Sequence, residues 1–234
     1  MEVQIAVAKI NKYASSESGD TLEVTERPNG GLSVVLADGQ TSGYGAKAVS
    51  MMVVRKVIGL LAEGVRDGAA ARAASDALFT DKKGKVISTL NIASVDLHSG
   101  TIVLTRNNPC PIFISRGDTF DCLGGESIPL GNSRDVRPII TEIGIEPGLT
   151  IVIYTDGLTH AGERRGQPMD VCEVIESLLE EQEPTPQELA DDLLAYAVKL
   201  DDERPADDIS VLVLKVASHD GDQVRRMTVR LPIA

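Results

Sequence analysis

Acidic residues stand at the ends of the most apolar runs in this sequence. Val34-Val35-Leu36-Ala37 runs into Asp38-Gly39, and Ile151-Val152-Ile153-Tyr154-Thr155 runs into Asp156-Gly157. Asp207-Asp208 leads into Ile209-Ser210-Val211-Leu212-Val213-Leu214, and Asp20, in Ser18-Gly19-Asp20, precedes another apolar stretch. These runs are apolar enough to be central strands, and the Gly after Asp38 and Asp156 allows a sharp backbone turn. If the strand ends converge, several carboxylates crowd one rim of the core. Two like charges ~4 Å apart repel by about 4 kcal/mol at an effective dielectric of about 20, so such a rim stays ionised only if cations offset it. Carboxylates, a backbone carbonyl and water are hard oxygen donors, suited to Mg²⁺ or Mn²⁺ and unsuited to thiolate-seeking metals. The plain alternative is unrelated strand-end turns, because Asp-Gly is a common turn pair.

The elements that must position these acids follow from periodicity and punctuation. Strands are expected over 3–14, 21–27 and 31–37, broken by Ser16–Asp20 and by Pro28-Asn29-Gly30-Gly31. Val49, Met52, Val53, Lys56, Val57, Leu60 and Leu61 recur at helical spacing, giving a helix over 45–63, and a second fits 69–79. A meander of antiparallel strands is expected at 86–97, 101–106, 111–115 and 119–123, continuing at 137–145 and 149–155. Helices at 170–181 and 186–201 follow, then a strand at 209–216 and another at 227–231. Thr185-Pro186, with Glu188 nearby, marks a helix start. Strands and helices in blocks, without strict alternation, indicate an α+β fold with largely antiparallel sheets. No linker or repeat divides the chain, so 1–234 is expected to be one domain, with 218–234 as a tail or extra strand.

Composition narrows the function classes. With 23 Lys+Arg against 35 Asp+Glu the formal charge is −12, which argues against nucleic acid and anionic membrane as partners. Aromatic residues make up 3% and Trp is absent, so the core must be Val, Ile, Leu and Ala. No leader or membrane-spanning run is visible. Three widely spaced cysteines, Cys110, Cys122 and Cys172, suggest reduced thiols and a cytoplasmic location. Most other acids, such as Glu180, Glu181, Asp191 and Asp192, sit on solvated faces of the two C-terminal helices. Cys110 and Arg116 have the spacing of a thiol phosphatase loop, but the residues between them form an apolar strand rather than a Gly-rich phosphate cradle. A serine hydrolase is excluded by the absence of Gly-x-Ser-x-Gly. His160, near Asp156, is either an exposed loop residue or a general acid for a leaving alcohol.

The ordered set Ser18-Gly19-Asp20, Ala37-Asp38-Gly39, Tyr154-Thr155-Asp156-Gly157 and Asp207-Asp208-Ile209-Ser210 resembles the PPM (protein phosphatase 2C-like) metallophosphatases. More narrowly, it resembles their bacterial SpoIIE/RsbU/RsbX branch. The stretch from Asp38 to Ala48 leading into a helix, Pro111–Gly117, and Ile128-Pro129-Leu130-Gly131 before the Pro147-Gly148 turn extend the likeness over nearly the whole chain. The resemblance implies a four-layer α-β-β-α sandwich, two mainly antiparallel sheets flanked by helices. It implies a site for two divalent cations, Mn²⁺ or Mg²⁺. Asp38 would bridge them, Asp156 and Asp207 would serve the first, and the Gly39 carbonyl with Asp20 the second. Asp208 would stand behind the ligands. The implied activity is a phosphoprotein phosphatase that hydrolyses phosphoserine or phosphothreonine with a cation-activated water, Asp38 and Asp156 acting through that water. The implied partner is a phosphorylated protein, in this branch a STAS-domain anti-sigma-factor antagonist in a partner-switching circuit. The alternative is a catalytically silent binding module that kept the fold. Three departures stand out: no Arg upstream of Asp20 matches the family's phosphate grip, leaving Lys9 and Lys12 by position; Thr41 replaces a frequent Gly; and Asn107-Asn108-Pro109 replaces an Asn-x-Gly-His-Pro turn. With no fused sensor segment preceding the domain, the chain is expected to be of the stand-alone RsbX type.

Overall fold

The strand Leu149–Tyr154 is six consecutive buried residues, Leu-Thr-Ile-Val-Ile-Tyr, a pattern that demands packing on both faces of a sheet. The structure, a computed structural model describing residues 1–40, 43–219 and 221–232, supplies it. Thr41, where relatives often carry Gly, lies outside the described residues. Sheet one contains β1 (Glu2–Ile10), β10 (Ile209–Ala217), β9 (Leu149–Tyr154), β6 (Ile112–Arg116) and β7 (Thr119–Leu123), in that spatial order. Sheet two contains β2 (Asp20–Glu26), β3 (Leu32–Asp38), β4 (Leu90–Asp96), β5 (Thr101–Asn107) and β8 (Ile139–Gly144). Every pairing is antiparallel.

Strand alternation then builds the layers. Ile151 and Ile153 of β9, with Leu212 and Leu214 of β10, meet Leu36, Ala93, Ile102 and Leu104 between the sheets. The opposite faces, Val152 and Tyr154 with Val211 and Val213, are covered by Ile175 of α4 (Val171–Glu181) and by Leu189, Leu193 and Ala197 of α5 (Pro186–Leu200). On sheet two, Val35, Leu90 and Ile92 pack under α1 (Gly43–Ala62) and α2 (Asp67–Lys82) through Val53, Val57, Leu61, Ala74 and Leu78. This is the expected α-β-β-α sandwich. Each fully buried Val, Leu or Ile contributes roughly 1.5–3 kcal/mol of burial, so a core without Trp suffices. The capping box of α5 forms as expected, with Thr185 Oγ1 accepting from Glu188 N and Thr185 N donating to Glu188 Oε2.

Four expectations need correction. The central strands are not one meander: β5 pairs with β8 and β6 with β9, so the chain changes sheets between β5 and β6. Asp156-Gly157 is not a simple turn but the start of a one-turn helix, α3 (Asp156–Thr159). Residues 227–231 form no strand but part of an exposed tail, tied down by Arg225 donating to the Gly30 carbonyl. Finally, Cys122 of β7 and Cys172 of α4 are joined in a disulfide, their Cα atoms 6.5 Å apart, and only Cys110 is free. Spacing could not show this, because the two lie 50 residues apart on elements that meet only when α4 crosses sheet one. Closing a loop of that length restricts the unfolded chain, so Cys122→Ser should cost about 2–4 kcal/mol in urea unfolding, and dithiothreitol should bring the wild type to the same value.

Candidate metal centre

Register brings the four acids together. In the β2–β3 pair Asp20 stands opposite Asp38, and β9 and β10 are neighbours, so Asp156 after one and Asp207 before the other emerge at the same end. Asp38, Gly39, Gln40, Ser88, Asp156 and Asp207 line a cleft of about 200 Å³ there. A larger groove of about 550 Å³, between α4 and α5, contains none of the four acids. The glycines serve a different purpose from the one expected. Neither Gly39 nor Gly157 has a left-handed backbone; instead a Cβ would lie 2.1 Å from the Ala46 carbonyl oxygen at Gly39 and 2.1 Å from that of Asp208 at Gly157. Close approach of backbone to backbone, not turn geometry, excludes a side chain.

Asp20 is wholly buried behind Asp38. Its Oδ2 accepts from Ser210 Oγ (2.5 Å) and Thr155 Oγ1 (3.1 Å), while its Oδ1 has no hydrogen-bond partner among the described residues. Thr155 Oγ1 in turn accepts from Ser210 N at 3.0 Å. Sequence reasoning missed both hydroxyls; the available signal was a Ser and a Thr at the ends of otherwise apolar strands, where a buried hydroxyl needs a partner. The two acids of the Asp207-Asp208 pair point apart. Asp207 faces the cleft, whereas buried Asp208 turns away and accepts from Lys12 N (2.9 Å) and Gly19 N (2.8 Å). Of the two positional candidates for phosphate binding, the Lys9 ammonium is engaged within the fold, and Lys12 is tied there by its backbone. Lys9 Nζ donates to the Asp20 carbonyl at 2.6 Å, joined there by Lys47 Nζ at 2.8 Å, and Lys12 contributes its backbone N–H. Burial and the neighbouring Lys47 lower the Lys9 pKa.

The electrostatics are those of crowded carboxylates. Burial, then the charges of Asp20 and Asp156, push Asp38 up to about 9. Burial also raises Asp20, and it raises Asp156, where His160 opposes the shift and Asp207 adds to it. Among the described residues no lysine or arginine forms an ion pair with any of the four. Asp156, His160 and Asp207 each offer a ligand atom, and these lie within 4.8 Å of one another. An orphaned buried carboxylate oxygen, unpaired acids and an all-oxygen set extended by one imidazole fit divalent cations. Because the folded Asp38 pKa is raised, its contribution to stability is full below the ordinary value of 3.8 and is lost as pH rises through about 9. In chelator, the melting temperature should therefore fall with rising pH more steeply for wild type than for Asp38→Asn. Calorimetry checks this, and added Mn²⁺ should raise the wild-type value most at the alkaline end.

A thiol route is not built here. Cys110 is buried and its thiol is pushed up to about 12, while Arg116 pairs with Asp121 and Glu146 at the far end of β6.

Two antiparallel sheets between helix pairs, with acids gathered at one rim, define the PPM phosphatase fold. Within that class the chain belongs to the SpoIIE family: residues 28–217 match the family described as Stage II sporulation protein E (SpoIIE). Stage II sporulation protein E of Priestia megaterium is 22% identical over 214 residues, covering 92% of this chain and 36% of that protein. The chain thus spans about a third of that relative. Among solved structures, the PP2C phosphatase domain of SpoIIE from Bacillus subtilis, with a fragment of its regulatory domain, superposes with a TM-score of 0.79 at 20% identity over 92% of this chain and 64% of that one. The RsbU and RsbW domains of Rv1364c from Mycobacterium tuberculosis give 0.76 at 19% identity, covering 92% and 62%. RsbX in complex with magnesium gives 0.70 at 18%, covering 92% and 96%. No helix among the described residues is long and apolar enough to cross a membrane.

Proposed function

We propose that this chain is a divalent-cation-dependent serine/threonine protein phosphatase working in a bacterial partner-switching pathway. The observation that carries the reading is the convergence of Asp20, Asp38, Asp156 and Asp207 at one rim with no basic side chain paired to them among the described residues. In this reading Asp38, Asp156 and Asp207 hold one cation, and Asp38, the Gly39 carbonyl and Asp20 hold a second, Mn²⁺ or Mg²⁺. Bound cations would supply a water of lowered pKa and positive charge facing the phosphoryl oxygens. The chain's own residues keep the donors in place. Thr155 and Ser210 clamp one oxygen of Asp20 and leave the other free. Asp208 pins the β1–β2 connection that leads into Asp20 at the start of β2. No protein nucleophile is required.

The substrate is a phosphorylated protein, and a STAS-domain anti-sigma-factor antagonist suits this branch; the RsbU and RsbX likenesses support that context. The unit is proposed to be one domain over 1–234, working in the cytoplasm. The Cys122–Cys172 disulfide bears against that location, since reducing compartments keep such pairs open. Hydrolysis of para-nitrophenyl phosphate separates the enzyme from a silent binding module. Wild type with Mn²⁺ should turn over and chelator should stop it; an inert wild type, or full activity in Asp156→Ala, removes the phosphatase reading. A phosphoproteome in which no Ser/Thr phosphosite rises on deletion removes the regulatory one.

A further inference from the structure

Asp156 opens α3 and His160 closes it. The two are four residues apart, and the His160 amide donates to the Asp156 carbonyl at 2.9 Å, so both side chains leave one face of a single helical turn. Asp207 reaches the same point from the segment before β10. The His160 ring is exposed and makes no hydrogen bond or ion pair with any described residue. Among the described residues its one interaction is through space, its charge opposing the rise of Asp156, and no packing or hydrogen bond holds the ring beside the two carboxylates. One ligand atom from each of the three lies within 4.8 Å of the others. An ion with bonds of about 2.1 Å spans donors up to roughly twice that far apart, so modest side-chain rotation closes the set.

From this we infer that His160 is a nitrogen donor to the cation that Asp156 and Asp207 hold, and that it biases this position toward transition-metal ions over magnesium. The inference rests on reading the rim as a metal centre and adds a ligand to it. Neutral imidazole is a borderline donor that favours Co²⁺, Zn²⁺ and Fe²⁺, whereas Mg²⁺ takes oxygen ligands and sheds its waters reluctantly. The carboxylates of Asp38, Asp156 and Asp207 alone would make an all-oxygen set suited to a hard cation. One imidazole added to carboxylates gives a mixed nitrogen and oxygen set, which transition-metal ions accept more readily than magnesium does. Exposure of the ring suits this role, because it can swing onto an ion without unpacking the core.

The test uses the full chain and the metals themselves. Co²⁺ binding is followed by visible absorption, Mg²⁺ binding by calorimetry, and Mn²⁺ coordination by pulsed electron paramagnetic resonance, which detects a directly bound imidazole nitrogen. For His160→Ala, Co²⁺ affinity should fall at least on the order of 10–100-fold, the loss that removing even an outer partner of a ligand brings, with Mg²⁺ affinity changed much less. The nitrogen signal of wild type should vanish in the variant. His160→Glu should recover cation binding but shift the preference back toward Mg²⁺, which a merely structural histidine would not do. Equal Co²⁺ affinity in wild type and His160→Ala, or no nitrogen signal in wild type, overturns the assignment while leaving the metal centre standing if Asp156→Asn still loses binding. Failure of wild type to bind any of the three ions overturns the metal centre itself and the assignment with it.

Discussion

Asp38→Asn should lower kcat/KM for a phosphomonoester by on the order of 10³-fold or more, equivalent to about 4 kcal/mol of lost transition-state stabilisation, without unfolding the protein. Asp38 is the one acid that both lines the cleft and stands in register with buried Asp20, and its neighbours include Asp156 as well. Removing its charge takes away the donor common to both proposed cations. The same change also removes the cost of holding that carboxyl protonated in the cation-free fold, where burial and two adjacent acids raise it from its ordinary 3.8 to about 9. Activity and stability are thus expected to move in opposite directions, measured by steady-state kinetics with Mn²⁺ and by melting in chelator. A variant that lost both would have lost its fold rather than its chemistry.

Gly157→Ala should have a large effect on stability. Its Cβ would sit 2.1 Å from the Asp208 carbonyl oxygen and 2.9 Å from the Asp208 carbonyl carbon, with Ile209 Cγ1 at 3.2 Å. Asp208 cannot step aside cheaply, because its carboxylate holds the amides of Lys12 and Gly19. Overpacking a core by a methyl group usually costs about 1–3 kcal/mol, and here rigid backbone rather than a side chain must yield, so about 3 kcal/mol or more is expected. The urea midpoint measures it. Gly59→Ala, inside α1 where a Cβ meets nothing within 4 Å, is the control and should be neutral or stabilising by about 0.5–1 kcal/mol. Cation affinity should fall with Gly157→Ala, since Asp156 and Asp207 flank the displaced segment.

Local pattern carried much of the fold. Long apolar runs, turn residues and the Thr185 cap place nearly every element within a few residues, and the acids at strand ends stand out in the sequence by contrast with their apolar neighbours. What pattern could not supply was pairing. Whether β5 continues to β6 or to β8 depends on which partner buries Ile102 and Leu104, a choice made by the whole sandwich. The Cys122–Cys172 bond follows from that same choice. At the site, the supports of the acids were not legible: Thr155 and Ser210 look like ordinary strand residues until the buried Asp20 oxygen they share comes into view. Lys9 shows the reverse error, where sequence position suggested a phosphate contact and the side chain instead binds the Asp20 carbonyl.

If these four carboxylates form a cation-dependent phosphatase centre, dephosphorylation must rise and fall with the cation and with Asp38. The decisive measurement is phosphate release from a phosphoserine peptide, followed with wild type in chelator and then across a Mn²⁺ titration. No release is expected in chelator, saturable release as Mn²⁺ rises, and none at any Mn²⁺ concentration for Asp38→Asn. Release that persists in chelator, or that survives in Asp38→Asn, would show that the acids at this rim do something else.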